Sequence, residues 1–148
     1  MDATQKIKHF FEAYQDRFNS ALQGHDDIDG TSDAFAECFI NASPSGIYCG
    51  SNNAEFRKAI PKGNQFYRDI GALSMHIRRI ETKQLNSVHY MAKVFWKSTY
   101  NKAGEHRRID FDVVYLLQYR NEVFKIFAYI TEDERKALQE HGLLPGTT

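Results

Sequence analysis

The chain has 148 residues, 42% hydrophobic and 26% charged, ordinary values for one globular domain that buries roughly two-thirds of its unfolded surface. Its 19 basic residues balance 19 acidic ones, so the basic excess of a nucleic-acid binder is missing. Arg78-Arg79 and His106-Arg107-Arg108 read as solvated strand ends. No apolar run approaches the ~20 residues that span a bilayer, Met1 to Lys8 does not open a signal peptide, and two cysteines, Cys38 and Cys49, are too few for a disulfide framework. The expectation is a soluble, cytoplasmic protein with no nucleic-acid or membrane partner.

Ile7, Phe10, Phe11, Tyr14, Phe18 and Leu22 recur at helical spacing and predict a first helix with an aromatic stripe. Asp2 with Gln5 supplies a capping box and Gly24 a stop. A second short helix is expected after Thr31 or Ser32, burying Phe35, Cys38 and Phe39. The segment 40–49, broken by Ser43-Pro44-Ser45-Gly46, reads as a short strand or two fragments. Asn52 with Glu55 marks the start of a helical region carrying Phe56, Ile60, Phe66, Tyr67 and Ile70, which Pro61 and Gly63 should kink or split.

From Ala72 the period changes to two. Leu73, Met75 and Ile77 begin a strand whose alternation breaks at Arg78-Arg79-Ile80, the mark of a bulge. After a loop at 84–87, strands over 88–100, 106–119 and 122–130 form a meander, turning at 101–104 and at Arg120-Asn121. Thr131 and Glu134 read as the capping box of a short terminal helix that ends before Gly142. Helices followed by a meander predict an α+β fold, with residues 1–148 as a single domain.

Simple hairpin registers set Trp96 opposite Ile109, Val94 opposite Phe111, Ala92 opposite Val113 and Tyr90 opposite Tyr115. The next hairpin sets Leu117 opposite Phe124, Tyr115 opposite Ile126 and Val113 opposite Ala128. This face carries no charge and belongs under the helices. The other face pairs Lys93 with Asp112 among Met91, Phe95, Val114, Leu116, Phe127 and Tyr129, an apolar patch larger than monomers usually expose. A homodimer joined isologously through this outer face is the expectation, the alternative being a terminal helix or tail folded over it. A one-residue slip in register would exchange the two faces.

The aromatic first helix, the strand ending in Val94-Phe95-Trp96, and the run from Asp112 to Leu117 followed by Val123-Phe124-Lys125-Ile126 together resemble the nuclear transport factor 2-like superfamily over residues 5–140. That superfamily includes SnoaL-like polyketide cyclases, ketosteroid isomerases and scytalone dehydratases. The resemblance implies a cone: N-terminal helices packed on a strongly curved antiparallel sheet, a short C-terminal helix, an apolar cavity between them, and often a dimer through the outer sheet face. The fold hosts enzymes, binding proteins and assembly modules alike. The leading expectation is a dimeric protein that holds a small apolar or amphipathic ligand in that cavity. The alternatives are a cofactor-independent isomerase, dehydratase or cyclase, and an interaction module with a closed cavity.

In isomerases of this superfamily a first-helix tyrosine and strand carboxylic acids act together, which makes Tyr14 a candidate donor. Phe39-Ile40-Asn41-Ala42 carries no carboxylate where an acid would be expected, and Asp110 and Asp112 fall on the outer face. Dehydratases of the superfamily use histidines with an aspartate. His76 is the candidate there, although its alternation with Met75 and Ile77 turns it outward unless the bulge reverses it; His89 shares the outward parity of Lys93. Tyr14, His76 and Asp112 are therefore the catalytic candidates, each with a purely structural alternative. Tyr48, Phe56, Tyr67, Tyr90, Trp96 and Tyr115 are candidates to surround a ligand, or else a packed aromatic core. The scattered histidines lack paired metal-ligand spacing, and the acidic run His25 to Gly30 would put His25 and Ala36 where a calcium loop needs carboxylates. Neither a phosphate-binding glycine pattern nor a nucleophile elbow is present, so no metal or cofactor is expected.

Overall fold

Helix α1 (Ala3–Leu22) opens the computed structural model, which describes residues 1–145. The Asp2 carboxylate accepts the Gln5 N–H at 2.9 Å while the Gln5 side-chain oxygen accepts the Asp2 N–H at 3.2 Å, so the capping box closes in both directions. The stripe buries Ile7 and Phe11 completely. Helix α2 (Ile28–Asp33) starts earlier than the sequence predicts, because Asp27 rather than Thr31 or Ser32 caps it, accepting the Gly30 N–H at 2.9 Å. Phe35, Cys38 and Phe39 consequently belong to strand β1 (Phe35–Ser43), where Phe35 and Phe39 are buried and Cys38 is exposed. A hairpin returns as β2 (Gly46–Ser51).

Helix α3 (Ala54–Asp69) runs unbroken through Pro61. One missing N–H is outweighed by packing of the flanking apolar stripe, including Phe56 and the buried Ile60. Its cap is Asn53, which accepts the Phe56 N–H at 3.0 Å. The neighbouring Asn52 is drawn away from that role, since its amide donates to the carbonyls of Ser32 and Phe35 at 2.8 and 3.2 Å.

Strands β3 (Ala72–Gln84), β4 (His89–Lys102), β5 (Glu105–Arg120) and β6 (Val123–Thr131) follow, then helix α4 (Glu134–Glu140). The six-stranded sheet has the order β2-β1-β6-β5-β4-β3. It is mixed rather than wholly antiparallel: β1 lies parallel to β6, and every other pair is antiparallel. Parallel neighbours are not joined by a hairpin, so no turn signal could reveal this pairing.

The meander registers differ by two residues from the simple reading. Trp96 faces Phe111, Val94 faces Val113, Ala92 faces Tyr115 and Tyr90 faces Leu117. The turn is shorter than expected, with Ala103 and Gly104 alone at its tip and both at positive φ (52° and 81°). An even shift keeps each side chain on its own face. The second hairpin also shifts by two, placing Leu117 opposite Ile126. It then carries a bulge: Leu116 faces Ala128, Phe127 is the extra residue, and Tyr115 faces Tyr129. Tyr129 therefore joins the inner face, against Phe35 and Phe39, and not the outer patch. The predicted bulge in β3 is present between Ile77 and Arg79.

The inner face buries Ala92, Val94, Trp96, Leu117 and Ile126 against α1. Helix α4 docks at one end of the same face, where Leu138 and Leu143 pack with Tyr100 and Ile109. Its cap is Asp133, which accepts the Lys136 N–H at 3.0 Å, so Thr131 stays in β6. On the outer face Lys93 lies 3.3 Å from Asp112, diagonally across the β4–β5 pair. Met91, Phe95, Val114, Leu116 and Phe127 remain partly exposed there, with α4 on the opposite side of the sheet. Among the described residues no helix is long and apolar enough to cross a membrane.

Candidate functional site

Between α1, α3, the inner face of the sheet and α4 lies an open cavity of about 310 Å³, at the lower end of the range that holds small ligands. Tyr14 and Phe18 reach it from α1, Tyr67 from α3, and Trp96, Phe111, Tyr115 and Tyr129 from the strands, while Glu134 and Leu138 of α4 frame its mouth. The one-sided stripe of α1 and the period-two alternation of β4 and β5 are what aim these rings at one space.

Four of the nine sequence candidates meet here: Tyr14, Tyr67, Trp96 and Tyr115. Phe56 lines a smaller cleft of about 220 Å³ beneath α3, with its ring 4.9 Å from that of Phe39 and 5.5 Å from that of Phe35. Tyr90 is buried in the core beside Phe124, because the two-residue shift moves it away from the cavity to the level of Leu117. Tyr48 is exposed on β2, where its hydroxyl donates to the Ser45 carbonyl at 3.3 Å. His76 is exposed and opposite Lys97; the predicted bulge falls after it, between Ile77 and Arg79, and does not turn it inward. Asp112 borders the cavity through its strand, but its carboxylate is on the outer face with Lys93. Of the three catalytic candidates only Tyr14 enters the cavity.

Burial dominates the electrostatics. It pushes the Tyr14 phenol up to about 12, with a smaller contribution from Tyr129. Tyr115 is raised well above the ordinary value by burial and then by Tyr14. Tyr67 is raised likewise, by burial and then by the negative charge of Glu134. Its hydroxyl donates to the Glu134 carboxylate, 2.7 and 2.9 Å from the two oxygens. Glu134 as a whole stands open to solvent at the rim, yet its carboxylate end packs against the mouth. That local desolvation raises its pKa, and the Tyr67 hydrogen bond pulls in the opposite direction.

Phe18, Phe111, Tyr129, Glu134 and Leu138 are not among the sequence candidates, and two of them, Tyr129 and Glu134, are titratable. Tyr129 carried no local sign of the bulge that turns it inward. Glu134 reads in the sequence as the partner of Thr131 in a capping box, whereas Asp133 is the cap. Elsewhere in the wall, Ser98 donates to the Ile109 carbonyl at 3.1 Å, and Ser74 and Thr99 share a hydrogen bond of 2.6 Å. Among the described residues no lysine, arginine or histidine lines the cavity. Among the described residues no three His, Cys, Asp or Glu side chains converge as a metal site. The arrangement can enclose an apolar body and offer it hydrogen bonds from neutral donors.

The profile of a family described as "NTF2-like protein (DUF6841)" matches residues 4–134. No curated protein matches the chain. Among solved structures, an NTF-2 like protein of unknown function from Shewanella oneidensis superposes with a TM-score of 0.66 at 15% identity, covering 89% of this chain and 100% of that one. An NTF2-like protein with a cystatin-like fold from Novosphingobium aromaticivorans gives 0.66 at 11% identity, covering 97% and 89%. A ketosteroid isomerase-like protein from Erwinia carotovora atroseptica gives 0.60 at 15%, covering 85% and 92%. Likeness at such identities speaks for the fold alone. Taken with the family match over most of the chain, it places the fold beyond the sequence pattern: this chain belongs to the NTF2-like family DUF6841.

Proposed function

We propose that this protein binds a small apolar or amphipathic molecule in the cavity between its helices and sheet. The observation that carries the reading is the cavity itself, about 310 Å³, open, and walled by aromatic side chains with polar tips. A closed interaction module is disfavoured by that same open volume. We further propose that two copies pair through the outer sheet face, and that the chain acts in the cytoplasm as one domain. Its two cysteines, both free and exposed, agree with a reducing compartment.

A second reading, a cofactor-independent isomerase, dehydratase or cyclase, has one observation in its favour. Glu134 is a carboxyl group of raised pKa, hydrogen-bonded to a cavity tyrosine, and such groups are candidates for proton transfer. It ranks second because His76 is exposed away from the cavity and the Asp112 carboxylate is on the outer face with Lys93.

Titration with the neutral fluorophore N-phenyl-1-naphthylamine tests the leading reading. Binding should saturate at one site per chain and quench the emission of Trp96, the only tryptophan. Ala137→Phe, on α4 at the mouth, should weaken it by about tenfold or more, the scale of a steric block in a shaped pocket. A folded protein with no saturable binding would overturn the reading.

A further inference from the structure

The smaller cleft beneath α3 is a neighbour of the main cavity. Tyr14, Phe18, Phe35 and Tyr67 line both spaces, and the Phe18 and Tyr67 rings meet edge to face with centroids 5.3 Å apart. The cleft lies between α1, α2 and α3. Phe56 and Ile60 are part of its apolar wall, and Arg17, Thr31 and Asn64 are its polar side chains.

Arg17 is a half-buried cation in this cleft, and the acids near it are committed elsewhere. Asp26 is held by Arg68 at 3.4 Å and by the Asn64 amide at 3.0 Å. Asp27 accepts the Gly30 N–H at 2.9 Å, and Asp29 pairs with Arg57. Arg17 lies against the same turn, since a Cβ on Gly30 would sit 2.8 Å from the Arg17 Cδ. Among the described residues it nevertheless enters no ion pair. Its charge also reaches the shared wall: burial raises the Tyr14 phenol, and Arg17 pulls against that rise.

The main cavity has the opposite bias. Among the described residues no cation lines it, and Glu132, Asp133 and Glu134 stand at its α4 mouth. An anionic headgroup placed there would lose hydration, meet no counter-ion and face an acidic rim. At Arg17 the same headgroup finds a guanidinium able to give two parallel N–H bonds. The two spaces together therefore have a polarity, basic at the cleft and acidic at α4.

We infer that the ligand is an amphipathic organic acid whose carboxylate binds Arg17 in the cleft and whose apolar tail passes Phe18 into the main cavity. The inference rests on the cavity being a ligand site and adds the ligand's charge and orientation. Tyr67 is anchored by its hydrogen bond to Glu134, so the half-buried Phe18 ring is the one that turns aside for the tail.

Calorimetry on the full chain with decanoate, 1-decanol and decylammonium compares three headgroups on one tail. Arg17→Gln should lower the decanoate-to-decanol affinity ratio about tenfold, the low end for a hydrogen bond to a charged group. It should leave decanol itself within about threefold. Arg17→Lys should recover part of the ratio, which a merely structural role would not. The tail's path is read on the native chain, so it stands should Arg17→Gln not fold. Trp96, the only tryptophan, lines the main cavity and not the cleft, and bromine quenches indole emission only near contact. Hence 10-bromodecanoate should quench Trp96 and 2-bromodecanoate should not. An unchanged ratio in folded Arg17→Gln, with decanol still bound, would overturn the headgroup site and leave the cavity reading standing. Quenching by the 2-bromo acid, or by neither acid, would overturn the tail's path. Tightest binding by decylammonium would overturn the anionic class. No binding of any of the three to folded protein would overturn the cavity reading and the inference together.

Discussion

Tyr67 and Glu134 join α3 to α4 across the mouth of the cavity with one phenol and one carboxylate, 2.7 and 2.9 Å apart by the two oxygens. The Glu134 pKa is raised in the folded chain, chiefly by local burial, so the native state holds that proton more tightly than the unfolded state. Its contribution to stability is therefore complete below the unfolded glutamate pKa and is lost as the pH rises through the folded value. Glu134→Gln should remove this part of the pH dependence, flattening the urea-unfolding profile above the unfolded glutamate pKa of about 4. Parallel profiles for the two proteins would contradict the assignment. Tyr67→Phe removes the one interaction that lowers the Glu134 pKa, so carboxyl NMR should show that pKa moving further up. The same variant should lose about 1 kcal/mol at neutral pH, a value at the low end because the rim is open to solvent.

At the scale of elements, Gly71 joins α3 to β3 in a place that no other residue fits. Its φ is +90°, and a Cβ there would come within 2.1 Å of the Asn101 carbonyl oxygen, while the Gly71 carbonyl accepts the Asn101 N–H at 2.8 Å. Gly71→Ala should destabilise by roughly 2–4 kcal/mol, from backbone strain and a collision with main chain that cannot rotate away. Gly63→Ala, inside α3 with nothing near, should stabilise by about 0.5–1 kcal/mol; equal effects in chemical denaturation would refute the contrast. These two glycines look alike in the sequence, and that shows which information is local. The aromatic stripe of α1 and the alternation of β4 and β5 were legible, and with them Tyr14, Trp96 and Tyr115, because periodicity survives an even register shift. Tyr67 was legible for the same reason on α3. The strand identity of 35–39 was not, since Asp27 captured the cap and β1 is held by distant β6. Nor were the caps of α3 and α4, where Asn52 and Asn53, or Thr131 and Asp133, compete within one or two residues. In the first case only the tertiary bonds of Asn52 decide the outcome. Glu134 became part of a site through α4 docking on Tyr100 and Ile109, a long-range event with no local signature.

For the whole molecule, the two faces of the sheet have opposite needs. The inner face is satisfied by α1, α3 and α4 around the cavity. The outer face leaves Met91, Phe95, Val114, Leu116 and Phe127 partly exposed around the Lys93–Asp112 pair. Arg79 already covers one side of the Phe95 ring at 3.8 Å, but α4 cannot help, because its apolar side is committed to Tyr100 and Ile109. A second copy related by a two-fold axis would cover the patch with the same patch, and lysine and aspartate in one centre let the charges match across the axis. Leu116→Lys puts a charge in the middle of this seam and leaves the inner face untouched. The variant should sediment as a folded monomer while the native chain sediments as a dimer at micromolar concentration. A native chain that stays monomeric at all concentrations would end the dimer proposal. Dimerisation also links stability to concentration, since association favours only the folded chain. The melting temperature of the native protein should therefore rise with protein concentration, and that of Leu116→Lys should not. Ligand binding sharpens the distinction: if the cavity and the seam occupy opposite faces of one sheet, the monomeric variant should keep its affinity for a cavity probe within about threefold, the scatter of independent sites.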